Sequence, residues 1–71
     1  MHLSEIATIC FTDLESGDEA VAVIRAGEGR LALCLSLAKD GDVEVVLASE
    51  DCDRLLAAIQ RGALVTKGQA P

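Results

Sequence analysis

The chain predicts an α+β fold: an antiparallel β-meander of three strands, extended by a fourth strand at the N-terminus, with one C-terminal helix packed on one face. Three observations carry this. Apolar residues alternate with small or polar ones in the runs AVAVIR, LALCLSL and VEVVL, between Ala20 and Leu47. Two short connections between these runs end in glycine, at Gly29 and Gly41. A segment with amphipathic helical spacing begins near Ser49 and follows the last run without a linker.

Residues 3–12, LSEIATICFT, carry two competing patterns. Leu3, Ile6, Ala7, Cys10 and Leu14 fall at helical spacing. The β-branched and aromatic content of Ile6, Thr8, Ile9, Phe11 and Thr12 favours a strand, and a strand is the reading adopted. Residues 13–19, DLESGDE, form a polar connection broken at Gly17.

The next three strands have an arguable register. The bulky odd positions are Val21 and Val23, then Leu31, Leu33, Leu35 and Leu37, then Val43, Val45 and Leu47. A one-residue slip would turn any of these sets to the opposite face. Keeping all of them together requires odd-length loops, which makes the connections Gly27-Glu28-Gly29 and Lys39-Asp40-Gly41. Three-residue loops with a left-handed glycine are common in hairpins. On this register Val23 opposes Leu33 and Leu35 opposes Val45. The even positions then form a second face of small or weakly polar residues. Ala22, Ile24, Ala32, Cys34, Ser36 and Val46 are its candidate dimer-face residues, because small side chains let another backbone approach closely.

Ser49 reads as the helix N-cap, with Glu50, Asp51 and Asp53 placed where the helix dipole favours negative charge. Cys52, Leu55, Leu56 and Ile59 form the apolar stripe. Glu50 and Arg54 are spaced as an i, i+4 ion pair. Gly62 fits the position just past the C-terminus. The helix is expected over residues 50–61, docked on the odd face, with 63–66 a short edge strand or arm. Residues 1–71 make one domain with soft ends at about 1–2 and 66–71.

Composition limits the function. A 71-residue chain has little core, yet 51% of its residues are hydrophobic and its mean hydropathy is +0.36. Nearly all of that is aliphatic, since Phe11 is the sole aromatic residue. Chains of this size commonly need a disulfide, a metal or a partner subunit. A homo-oligomer, with a dimer favoured, accommodates the surplus. The net charge of −6 disfavours nucleic-acid surfaces and anionic membranes, while leaving a basic protein partner open. Three cysteines form no even framework and no CxxC spacing. With no signal-peptide pattern and no apolar run long enough to span a bilayer, a reducing, cytoplasmic setting is expected.

No catalytic, cofactor-binding or metal-binding constellation is legible. His2 is the single histidine and lies at the end of the chain. Asp40-Gly41-Asp42 is too short for a calcium loop, and Gly27-Glu28-Gly29 lacks the lysine and following helix of a phosphate loop. Cys34 reads as a small apolar residue. Cys52 sits near the positive end of a helix dipole, which activates thiols, but three carboxylates beside it oppose that effect.

The expected function is a small acidic, non-enzymatic interaction or regulatory module that self-associates. Four antiparallel strands followed by a helix resemble, in element order, Whirly-type single-stranded nucleic-acid binders. That resemblance implies a sheet that binds single strands, whereas this chain has neither the basic groove nor the stacking aromatics of such sites. A second alternative is a small enzyme with Cys52 or Cys34 as the reactive group at a dimer interface.

Overall fold

A computed structural model describes residues 2–70. The elements are β1 (Ser4–Thr12), β2 (Glu19–Gly27), β3 (Arg30–Leu37), β4 (Gly41–Ala48) and α1 (Ser49–Thr66). The strands form one antiparallel sheet in sequence order, β1-β2-β3-β4. The fold is therefore the expected α+β meander with one C-terminal helix. β-branched content prevails over helical spacing in residues 4–12, where β1 pairs along the whole length of β2 with one irregularity between Glu5 and Ala7.

The first hairpin departs from the expected register, and the cause is local. Gly27 pairs with Arg30, so the loop is the two residues Glu28 and Gly29. Both have positive φ, 54° and 74°. Two consecutive left-handed residues make a type I′ turn, whose twist matches that of the flanking strands. An even-length loop pairs odd with even positions. Val23 therefore faces Cys34, and Ile24 faces Leu33. The second hairpin keeps the expected parity but shifts by two. Leu37 pairs with Gly41, the loop is residues 38–40, and Leu35 opposes Val43 while Val45 opposes Leu33. The glycine at φ 85° opens β4 instead of closing the loop. The Ala38 N–H also donates to the Glu19 carbonyl at 3.1 Å, which carries β3 one residue further along β2 than along β4.

These registers sort the side chains anew. One face, here the leucine face, gathers Ala7, Ile9 and Phe11 of β1 with Ala20, Ala22 and Ile24 of β2. It continues through Leu33, Leu35 and Leu37 of β3 to Val43, Val45 and Leu47 of β4. The other face, here the polar face, takes Thr8, Cys10, Val21, Val23, Arg25, Ala32, Cys34, Ser36, Glu44 and Val46.

The helix is longer than its sequence suggests. It starts at Ser49, so the N-cap is Ala48, which contributes no side-chain hydrogen bond. Ser49 thus lies inside the first turn and does not cap it. Arg54 pairs with Asp51 at 3.5 Å, one step closer along the helix than Glu50. Gly62 stays helical, and residues 63–66 continue α1 instead of forming an arm. Gly68 (φ 76°) ends it. The Gln69 N–H donates to the Leu64 carbonyl at 2.9 Å and the Gly68 N–H to the Val65 carbonyl at 3.0 Å. That pair of bonds is a Schellman closure over residues 67–69.

Contacts between α1 and the sheet are confined to β3 and β4. No helical residue is buried, and the expected stripe stays open along most of its length, with Leu56 52% and Ile59 59% exposed. Among the described residues the buried interior is two alanines. Ala20 (4% exposed) sits between Phe11 and Leu37 on the leucine face, and Ala32 (1%) lies on the polar face.

Two substitutions test these local assignments by chemical denaturation at fixed protein concentration. Glu28→Asn is expected to stabilise by about 0.5–1 kcal/mol, since Asn tolerates the left-handed conformation better than Glu. A three-residue loop would give no such gain. Gly62→Ala is expected to stabilise by about 0.5–1 kcal/mol and to raise helical ellipticity. A methyl group there meets nothing within 4 Å. Destabilisation would mean that Gly62 ends the helix after all.

Candidate functional site

The six small residues expected to share a dimer face do not share one. Ala32, Cys34, Ser36 and Val46 lie together on the polar face, whereas Ala22 and Ile24 lie on the leucine face. The two-residue turn at Glu28-Gly29 accounts for the split, because it offsets β2 against β3 by one residue.

The polar face is a solvated surface. Arg25 of β2 forms an ion pair with Glu44 of β4. Arg25 is directly opposite Ala32, and Glu44 directly opposite Cys34, so the pair spans β3 and covers Ala32. Both partners are about 40% exposed, which limits such a pair to a modest contribution. Cys34 Sγ lies 3.9 Å from Ser36 Oγ. Glu5, Glu19, Asp42 and Glu44 share this face with Arg25 and Arg30, an acidic excess that repels a phosphate backbone.

The leucine face is apolar throughout and largely open. Ile9, Phe11, Leu35, Val43 and Val45 are all exposed there, Val43 to 61%. Contiguous apolar surface of this kind marks interaction sites in soluble proteins. At the β3–β4 turn the face deepens into an open depression of about 460 Å³. Its apolar lining includes Phe11, Ala20, Leu35, Leu37 and Val43, Asp13 and Asp40 also border it, and Val21, Ser36 and Asp42 reach it from polar-face positions. At the other end of the sheet, Ser49, Cys52 and Asp53 of α1 border a smaller depression with Ala26 and Leu31. Cys52 is half-buried there and Cys10 is exposed.

Asp13 is built into the β1–β2 turn. Its carboxylate accepts from the Ser16 hydroxyl at 2.6 Å and from the Ser16 N–H at 3.0 Å. The Gly17 N–H donates to the Asp13 carbonyl at 2.8 Å. The hydroxyl bond first, and the backbone bond second, lower the pKa of Asp13. Among the described residues no group of three or more His, Cys, Asp or Glu side chains is arranged to hold a metal ion. No described helix is long and apolar enough to cross a membrane.

Comparison with known protein families, with curated proteins and with solved structures found no match.

The turn carries a pH signature. A carboxyl group with a lowered folded-state pKa stabilises above the ordinary carboxylate range, and that contribution is lost as pH falls through the lowered value. Ser16→Ala is expected to move Asp13 back up toward the ordinary aspartate value in an NMR titration. An unchanged titration would remove the hydroxyl from that role.

Proposed function

We propose that this protein is a small non-enzymatic module that works by self-association, as a homodimer closed over the leucine face, and that its acidic outer surface engages a basic protein partner. The observation that carries this reading is the amount of surface a single chain leaves open, with large aliphatic residues among it. A folded monomer of 7.4 kDa exposes about 4,200 Å², whereas this chain exposes 5362 Å². The excess, roughly 1,150 Å², is more than the ~800 Å² per partner of a standard stable interface. The radius of gyration, 13.7 Å, likewise exceeds the ~11 Å of a compact domain of this length.

The polar face is the weaker candidate for that interface. It carries the Arg25–Glu44 pair and further carboxylates, which self-association would have to desolvate. The strand side chains of the leucine face are apolar. The three free thiols fit a reducing, cytoplasmic setting.

Sedimentation velocity at micromolar concentration is expected to give a dimer for the natural sequence. Val43→Lys, at an exposed position of the leucine face, is expected to shift it to monomer. Val46→Lys, at an exposed position of the polar face, is expected to leave the mass unchanged. A natural chain that stays a folded monomer at these concentrations would end the proposal. Dissociation by Val46→Lys alone would move the interface to the polar face.

A further inference from the structure

The outer side of β4 is an open hydrogen-bonding edge. β4 ends the sheet order, and among the described residues no backbone hydrogen bond from a turn or loop reaches residues 41–48. Its pairing with β3 is regular over all 8 residues, from Gly41 to Ala48. The helix that follows turns inward, where Ser49, Cys52 and Asp53 border a depression with Gly29, Arg30 and Leu31. The opposite edge differs. Pairing of β1 breaks between Glu5 and Ala7, the kind of irregularity that guards an edge against a further strand. β4 has no such break, and it contains no proline or lysine.

Charge selects the same strand. Residues 40–53 hold six of the 12 acidic residues and no Lys or Arg. The remainder of the chain is balanced, six acidic residues against six basic, so this segment accounts for the whole net charge of −6. On β4 itself Asp42 and Glu44 stand on the polar face, and Val43 and Val45, both exposed, stand on the leucine face. Glu44 is paired with Arg25 across β3, whereas no ion pair among the described residues involves Asp42. A strand laid beside β4 therefore meets acid on one face and aliphatic groups on the other. Antiparallel pairing of β4 with its own copy would bring two sets of these carboxylates to one side of the joined sheet, which like-charge repulsion opposes. The occupant that fits is a strand of opposite charge.

We infer that β4 takes an extended segment of a basic protein as a fifth strand. Its backbone pairs with the open N–H and C=O groups of β4. Its lysines or arginines, at alternate positions, lie beside Asp42 and Glu44, and the apolar residues between them lie beside Val43 and Val45. The inference rests on the basic-partner part of the reading above and adds where that partner binds and in what conformation. A dimer closed over the leucine face uses the side chains of that face and not the outer backbone of β4.

A fluorescent peptide of alternating lysine and valine, about as long as β4, tests it by anisotropy at low salt. A control peptide carries methyl groups on its central backbone nitrogens, which keep every charge and side chain but cannot donate to an edge. The natural chain is expected to bind the plain peptide, and to bind the methylated one about tenfold or more weakly. Asp42→Lys is expected to weaken binding of the plain peptide about tenfold. Glu5→Lys, the same charge change at an exposed position of the opposite edge, is expected to weaken it far less. Far-UV circular dichroism checks that both variants fold, and Asp42→Asn replaces Asp42→Lys if the latter does not.

Equal binding of the plain and methylated peptides, or equal weakening by Glu5→Lys and Asp42→Lys, would mean that charge alone draws the peptide. Strand addition at β4 would then be wrong while the acidic surface still engages basic chains. If neither peptide binds at low salt, the basic-partner reading fails, and this inference with it.

Discussion

The two-residue turn at Glu28 and Gly29 is the constraint on which the rest of the structure depends. Side chains in a strand alternate faces with a period of two, so the parity of one loop decides which residues of β2 join which residues of β3. With two residues in the turn, Ala22 and Ile24 join Leu33 and Leu35, and Val21 and Val23 join Cys34 and Ser36. A three-residue turn would have given a face of large aliphatic residues backed by one of mostly small residues. The observed turn instead gives one apolar face and one that carries charge, the usual division of an antiparallel sheet with one side toward water.

From that division follows an imbalance between the sheet and its helix. The leucine face runs across all four strands, about 14 Å wide at normal strand spacing, whereas α1 touches only β3 and β4. One helix, about 10 Å across, cannot cover such a face, and this one does not lie along it. The apolar surface that the sequence carries in excess of a small core is therefore gathered on one side of the molecule. A second copy of the chain brings both a helix and a face of the same kind. In the proposed dimer, each copy would cover the other without a further component.

Much of the fold was legible from residue types alone. Alternation located three strands, β-branched content decided the fourth, and the stripe Cys52, Leu55, Leu56, Ile59 located the helix. What was not legible turns on energies that a pattern does not display. Glu28 is an uncommon residue at a left-handed position, so nothing in its type announced a type I′ turn, and the face assignment of Ala22 and Ile24 failed with it. Gly41 was read correctly as left-handed, but a glycine that opens a strand and one that closes a loop look alike in sequence. Gly62 was read as the helix end, but hydrogen bonds from Gly68 and Gln69 tie a longer helix shut. The depression was invisible at the sequence level because Asp13 and Asp40 come from two different turns that only the sheet brings to one end.

The interior of two alanines changes where this protein is sensitive to substitution. In an ordinary domain the intolerant positions are the most buried ones, where a lost methylene leaves a cavity. Here a truncation at Ala20 or Ala32 has almost nothing to remove. In the proposed dimer, positions open in the single chain, such as Val43 or Ile59, would carry the penalty instead, and its size would follow how much protein is present to associate. A map of tolerated truncations would then look inverted, with a permissive centre and an unforgiving surface. Abundance would act as a variable of the fold itself: diluting the chain would expose the apolar face that association covers.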